Sequence, residues 1–327
     1  MADSSKDCLP ISVVIPAYNR AQYVAEAVRS VRAQTRPASE VIVVEDGSTD
    51  DTAQAARAAG ACVIPQANSG LPAARNTGIM AATNPWIAFL DDDDLWESTK
   101  LERQWQLVER CPQIGFAFTD HSAFNEEGPV FASLYAKYPE RWEQVQRHPV
   151  GSGLSVCETE DALSRFYRWN FVNVSSLLIR RDLLLRIGLF DASLKAWEDL
   201  EITLRLFGAA IGGVVEEPLV RRRRHDTQMT GDRLHMKLHA AAATMRIVQR
   251  PWLYPKSAAK FYRNEPARWF LEAGELLMGA GRYAEARSPL LRSLGLRFSI
   301  RTARHFLTAV RLSRATRKPG SVAERST

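Results

Sequence analysis

Cysteine is scarce in this chain of 327 residues: Cys8, Cys62, Cys111 and Cys157 lie far apart and form no Cys-x-x-Cys pair. That spacing suggests neither a disulfide framework nor a zinc site. Apolar residues never run uninterrupted for the ~20 positions that a bilayer-spanning helix needs. Met1 to Pro10 is short and polar, unlike a signal peptide, so a cytoplasmic protein is expected. His235 and His239 stand four apart on an expected helix, but no His-Glu-x-x-His accompanies them, and they read as surface residues rather than zinc ligands. No RNA- or DNA-binding motif is present, and nucleic acid is not expected as a partner.

What is present is ordinary in bulk and uneven in distribution. A hydrophobic share of 46% and a charged share of 24% suit a soluble globular protein. The length admits one large α/β domain with an appendage, or two modest domains. Residues 220–327 hold 23 Lys and Arg against 7 Asp and Glu, which leaves 20 against 30 in residues 1–219. A basic C-terminal third of this kind suits an anionic membrane surface, which would hold the protein peripherally at the inner face of the cell membrane.

The chain is organised around Trp86-Ile87-Ala88-Phe89-Leu90, followed at once by Asp91-Asp92-Asp93-Asp94. Five apolar residues in a row predict a strand buried on both faces, as in a parallel sheet. Four carboxylates at its end raise one another's pKa or need a positive partner. A divalent cation that also grips phosphate oxygens would supply one, and a solvated acidic loop is the alternative.

The preceding residues decide between the two. Ile11 to Ile15 reads as a first strand that Pro16 ends, and Val24, Val28 and Val31 fall at helical spacing over 21–34. Val41 to Val44 is a second strand, Ser48 to Asp51 offers N-cap residues to an alanine-rich helix closed by Gly60, and Ala61 to Ile64 is a third strand. Asn68-Ser69-Gly70 then leads into a helix with Pro72 in its first turn. Strands alternating with helices predict an open, mostly parallel sheet, and such sheets bind ligands beyond the carboxyl ends of their strands. Tyr18-Asn19, Glu45-Asp46, Asn68 and Asp91 to Asp94 all fall at those ends, which argues against a merely solvated loop.

Pro16-Ala17-Tyr18-Asn19, Val44-Glu45-Asp46-Gly47-Ser48-Thr49-Asp50, Asn68-Ser69-Gly70 with Ala74-Arg75-Asn76-Thr77-Gly78, and Leu90-Asp91-Asp92-Asp93-Asp94 resemble, in order and spacing, the family-two inverting glycosyltransferases over about residues 10–225. The resemblance implies a GT-A fold: an α/β, Rossmann-like, mostly parallel sheet flanked by helices, here with a C-terminal helical extension. It implies a nucleotide diphosphate sugar, usually a UDP-sugar, as donor, a glycan or lipid-linked hydroxyl as acceptor, and Mn2+ or Mg2+ as cofactor. Bacterial surface polysaccharide or glycolipid synthesis is the usual setting of the family.

By that resemblance Pro16, Ala17, Tyr18, Asn19, Asp46, Asn68, Arg75, Asp91 and Asp92 bind the donor. Tyr18 would lie against the base, Asp46 would accept a hydrogen bond from its edge, and Arg75 would lie near base or diphosphate. Asp93 is implied as the direct metal ligand, with Asp91 framing the Asp-x-Asp pattern and Asp92 near the ribose or the metal's waters. Four consecutive aspartates leave the register of that pattern open by one residue. Trp197-Glu198-Asp199 ahead of a helix matches the place of the catalytic base, with Asp199 as first choice and Glu198 as second. Helix capping by acids is the structural alternative. His225, after Arg221 to Arg224, is implied as a further metal ligand or diphosphate contact, and which of the arginines faces inward stays open.

Elsewhere the pattern is weaker. Phe116 to Thr119 suggests a strand, and Asn125 to Thr159 has no clear period. Asn170 to Ile179 reads as a strand whose Ser175 and Ser176 face the donor sugar. Ala267 to Leu296 reads as one helical hairpin turning at Gly279 to Tyr283, and Ile300 to Leu312 as a helix with Phe306, Leu307 and Val310 opposite its arginines. The expected organisation is an N-terminal tail at 1–9, a catalytic domain over 10–228, a helical region over 229–316 and a disordered tail over 317–327. Two other classes compete: a nucleotidyltransferase, which would want a glycine-rich basic loop where Tyr18-Asn19 stands, and a catalytically inactive scaffold of the same fold.

Overall fold

The computed structural model describes residues 8–157, 171–225, 228 and 231–315. The tail over 317–327, residues 1–7 of the N-terminal tail and Asn170 of the expected strand lie outside these. Of the N-terminal tail, Cys8 is described and Leu9 already opens the first strand.

The first half alternates as the pattern predicts. β1 (Leu9–Ala17), α1 (Ala21–Arg32), β2 (Ala38–Glu45), α2 (Thr52–Ala58), β3 (Cys62–Pro65), α3 (Leu71–Ala81) and β4 (Trp86–Phe89) follow in order. Then come β5 (Leu95–Trp96), α4 (Lys100–Arg110), β6 (Ile114–Asn125), β7 (Gly128–Phe131), the one-turn helices α5 (Leu134–Lys137) and α6 (Pro139–Trp142), β8 (His148–Gly151) and β9 (Leu154–Cys157). β10 (Leu178–Arg180), α7 (Arg181–Ile187), α8 (Glu198–Ala209) and β11 (Ile211–Arg223) complete the sheet.

Among the described residues the strands run β3-β2-β1-β4-β10-β6-β11-β9-β8, with β5 added to β11 and β7 to β6. From β3 to β11 all point one way except the short β10, which runs antiparallel to both β4 and β6. The carboxyl ends of β1, β2 and β4 therefore open on the same edge. Val24, Ala27, Val28 and Val31 of α1 are buried against this sheet. Helix α3 lies so close to β1 that a Cβ on Gly78 would meet Val14 Cγ1 at 2.3 Å. The glycine of Arg75-Asn76-Thr77-Gly78 is thus a packing requirement.

Several expected boundaries shift. Pro16 does not end β1. Ala17 O accepts from Asp46 N on the β2 side, so the alternate residue Pro16 turns its nitrogen toward β4, past the last bond of that ladder at Leu90 N and Val14 O. No donor is required of it there. The strand expected to reach Ile179 is, from Val174 to Ser176, a single 3-10 turn that Asn173 caps by accepting from Ser175 N at 2.6 Å. Asp51 caps α2 without a side-chain bond; Asp50 instead accepts from Thr52 N at 3.0 Å and Ala21 N at 3.1 Å, tying α2 to α1.

Two compact units emerge, one of Met1–Gln228 with Arg250–Ala258 and one of Met229–Gln249 with Ala259–Thr327. Arg250–Ala258, inside the expected helical region, belongs to the first unit because Tyr254 donates to Glu201 at 2.5 Å and a Cβ on Gly208 would touch Pro255 at 3.0 Å. After α9 (Arg233–Gln249) and α10 (Lys256–Tyr262), the second unit continues as α11 (Glu265–Gly279), α12 (Tyr283–Leu296) and α13 (Ile300–Ala315). The expected hairpin is α11 with α12. Its close approach rests on Gly274, whose Cβ would lie 2.6 Å from Leu290, and on Ser293 donating to Ala267 O at 2.8 Å. In α13 the amphipathic reading needs correction: Thr302, Ala309 and Ser313 are buried and Phe306 packs with them, whereas Leu307 is 65% exposed on the arginine face.

Candidate active site

The four aspartates after β4 have four different neighbours. Asp91 Oδ1 accepts from Arg75 Nη2 at 2.6 Å. Asp92 Oδ2 accepts from Tyr18 N at 3.3 Å, and Arg20 Nε lies 3.7 Å from its other oxygen. Asp93 Oδ2 stands 3.0 Å from His225 Nε2. Asp94 turns inward, buried, and accepts from Ser175 Oγ at 2.8 Å and Arg223 N at 3.1 Å. Asp91, Asp92 and Asp93 thus keep carboxylate surface at the strand end, whereas the Asp94 carboxyl is buried in bonds to the protein. Burial, then the charge of Asp93, pushes it up to about 7. The same two causes, in the same order, raise Asp92 well above the usual carboxylate range.

Ser175 and Ser176 do not face outward as expected. Ser175 is fully buried, donating to Asp94 and accepting from Asp91 N at 3.1 Å, and Ser176 Oγ donates to Asn173 O at 2.7 Å. Ser175 fastens the loop after β4 from beneath, and Ser176 fastens its own turn.

Arg75 is only 1% exposed and is engaged by two carboxylates. Its Nη1 donates to Glu198 Oε1 at 2.7 Å while Nη2 holds Asp91, and its guanidinium lies 5.3 Å from the Phe190 ring. Although burial opposes the charge, the two carboxylates raise its pKa. The fork thus joins the end of β4 to the start of α8. Asn76, one residue on, received no role from the sequence; its Nδ2 donates to Phe190 O at 2.8 Å and its Oδ1 accepts from Phe190 N at 2.9 Å. That reciprocal pair holds the ring against Arg75.

Glu198 is the poorer of the two candidate bases, because its buried carboxylate is bonded to Arg75. Asp199 keeps part of its surface open, and burial, then the charge of Glu198, pushes its carboxyl up to about 6. Trp197 before them adopts left-handed φ/ψ of 68° and 11°, which is uncommon for a residue with a Cβ and marks a constrained turn into α8.

On the opposite edge Tyr18 is 47% exposed beside the cluster. Asn19 Oδ1 accepts from Thr49 N at 2.8 Å and Asn19 N donates to Ser48 Oγ at 3.0 Å, locking the β1 loop to the β2 loop. Pro16 and Ala17 are buried at the end of β1 and set where Tyr18 emerges. Asp46 Oδ1 accepts from Gln66 Nε2 at 2.6 Å and Ser69 N at 2.9 Å, and Oδ2 from Gly70 N at 2.8 Å. Oδ2 keeps one lone pair. Asn68 is exposed at the rim, and its backbone crosses Gly47 so closely that a Cβ there would lie 2.7 Å from Asn68 N.

A divalent cation fits Asp93 and His225, since a carboxylate and an imidazole are adjacent and both suit Mn2+. Among the described residues no group of three or more His, Cys, Asp and Glu could hold an ion.

Solved structures with this fold include Staphylococcus aureus TarS 1-349 in complex with UDP, with a TM-score of 0.59 at 18% identity over 94% of this chain and 83% of that one. A mannosyltransferase from Pyrobaculum calidifontis in complex with GDP-Man and Mn2+ matches with a TM-score of 0.57 at 17% identity, covering 94% of this chain and 86% of that one. The fold is that of the GT-A glycosyltransferases. The family model for glycosyl transferase family 2 matches residues 12–184, and the chain belongs to that family. Curated relatives include an uncharacterized glycosyltransferase of Rickettsia conorii, 39% identical over 130 residues, a match of 38% of this chain and only 21% of that protein. The putative teichuronic acid biosynthesis glycosyltransferase TuaG of Bacillus subtilis is 32% identical over 154 residues, 45% of this chain and 60% of that protein.

Proposed function

We propose that this protein is a divalent-cation-dependent, inverting glycosyltransferase that moves a sugar from a nucleotide diphosphate donor, a UDP-sugar by first choice, to a hydroxyl of a cell-envelope glycan or lipid-linked acceptor. The observation that carries this reading is Arg75, whose two ion pairs bring the aspartate cluster and Glu198-Asp199 to one pocket. A donor site and a base at separate places would support no transfer.

Asp199 accepts the proton of the acceptor hydroxyl as that oxygen attacks the anomeric carbon from the face opposite the leaving diphosphate. Arg75 holds Glu198 still, so that Glu198 supports Asp199 rather than replacing it. Tyr18 lies along the base, and the spare lone pair of Asp46 Oδ2 accepts from the base edge. Asp93 and His225, with Asp91 beside them, would hold a cation, which when bound neutralises charge on the departing diphosphate. The Mn2+ in the Pyrobaculum neighbour and the UDP in the Staphylococcus one support these assignments by fold. Calorimetry with UDP is expected to give binding that strengthens with Mn2+ in the wild type and loses that dependence in Asp93→Asn. Equal UDP affinity with and without the metal would remove the cation from the scheme. No UDP or GDP binding under either condition would favour the inactive scaffold.

The second unit supports peripheral membrane contact. No described helix is long and apolar enough to cross a bilayer. Phe298, between α12 and α13, and Ile300, the first residue of α13, are 75% and 66% exposed, and Leu296 and Leu307 are exposed with them. Arg297, Arg304 and Arg311 are also exposed, so apolar tips stand among cations as at an anionic interface. The protein is expected to sediment with vesicles of phosphatidylcholine and phosphatidylglycerol but not with phosphatidylcholine alone. Phe298→Ser with Ile300→Ser should abolish it, and undiminished sedimentation of that variant would discard the surface.

A further inference from the structure

Register sorts the four arginines that end β11. Val220 pairs with His121, and Arg221, Arg222 and Arg223 pair with Ser122, Ala123 and Phe124. Successive side chains of a strand point to opposite faces. Arg221 and Arg223 share one face: both stack on Phe124, at 4.9 and 4.8 Å, and they pair with Glu97 at 3.8 Å and Glu26 at 2.6 Å. His225 continues that row and meets Asp93. Arg222 and Arg224 occupy the other face, that of His121.

This second row carries two cations, on which the buried carboxylates of Asp94 and Asp199 act by charge. Among the described residues neither Arg222 nor Arg224 makes an ion pair, and Arg222 Nε is shielded from solvent without a hydrogen-bond acceptor. His121, only 4% exposed, has its Nδ1 buried without a partner. Burial first, then Arg222 and Arg224, pulls that imidazole down to about 3, so it is neutral at physiological pH and has an N–H to give. Other groups facing this wall are Asp94, already bonded to Ser175 and Arg223, and Asp199, whose carboxyl Arg222 draws downward. The charge of Arg222 thus reaches the group assigned as base, from the strand face away from Asp93 and His225.

We propose that Arg222, with Arg224 and His121 Nδ1 beside it, forms an anion subsite that receives a phosphate group of the acceptor next to the hydroxyl that Asp199 deprotonates. Two guanidinium forks and an imidazole N–H present more donors than a carboxylate's two oxygens use, whereas the three oxygens of a phosphate suit them. The assignment to the acceptor rests on the reading of Asp199 as base, since the donor diphosphate belongs to the opposite face of β11. It makes the acceptor a phosphate-bearing glycan or lipid rather than a neutral sugar.

The test is calorimetry on the full chain with sn-glycerol 3-phosphate and with glycerol, with and without saturating UDP and Mn2+. Glycerol 3-phosphate is expected to bind alongside UDP while glycerol does not. Arg222→Gln, and separately Arg224→Gln, should weaken it at least about tenfold, as loss of a charge-assisted pair does, with UDP affinity and thermal unfolding unchanged. Arg222→Lys should restore part of the loss. Absent binding, binding indifferent to both Gln variants, or competition between glycerol 3-phosphate and UDP would overturn the subsite, the last by returning the arginines to the donor. Arg222-dependent binding in a protein that ignores UDP would reject the donor reading and leave the anion subsite standing.

Discussion

Asp199→Asn is expected to lower kcat by about 100- to 10,000-fold, the span that a positioned general base contributes, while donor affinity stays as in the wild type. The pH profile provides an internal check. Asp199 accepts a proton only when ionised, and its carboxyl is pushed up to about 6, so the wild-type rate should rise with pH through that value and level off above it. The charge of Glu198 contributes to that upward push, so Glu198→Gln should move the limb to lower pH. Stability should respond in the opposite sense to activity. A carboxyl whose folded pKa lies above its unfolded value disfavours folding once both states are ionised, so the neutral asparagine should leave the protein at least as stable at pH 7. Single-turnover measurements with an identified donor decide the matter; an Asp199→Asn enzyme within about tenfold of wild type would transfer the base to another group.

Arg75→Met is expected to destabilise the first unit by about 3–5 kcal/mol, because removing one member of a buried ion pair leaves its partners charged and uncompensated. Two carboxylates are affected: Glu198, buried beside α8, and Asp91, less than a third exposed at the end of β4. Arg75→Lys should recover only part of this, since an ammonium is a point charge and cannot hold both carboxylates along the two arms of a fork. Activity in the lysine variant should fall further than stability does, as Asp199 loses its fixed neighbour. Equilibrium unfolding in urea measures the first effect and turnover the second. An Arg75→Met protein as stable as wild type would mean that the bridge contributes nothing to joining the two motifs.

Asn76 illustrates how a motif residue can be visible in sequence while its use is not. Its place in Ala74 to Gly78 was evident, yet its partner is the backbone of Phe190, 114 positions away. Ser175 illustrates the reverse: alternation suggested a strand with outward serines, but a 3-10 turn capped by Asn173 buries both hydroxyls and sets that of Ser175 beneath Asp91 and Asp94. The places of Tyr18, Asp93 and His225 just past strand ends, and of Asp199 in the first turn of α8, were legible because local pattern dictates them.

By itself the sequence determined the alternation of strands and helices, the edge on which the polar clusters gather and the family, since these depend on hydrophobic period and on residues close in the chain. Tertiary structure decided which aspartate turns inward, that Arg75 pairs with both Asp91 and Glu198, and which arginines of Arg221 to Arg224 share the face of His121. Those are questions of strand register and of charge partners brought from distant segments, and a buried charge takes its role from whatever the fold sets within a few ångströms of it.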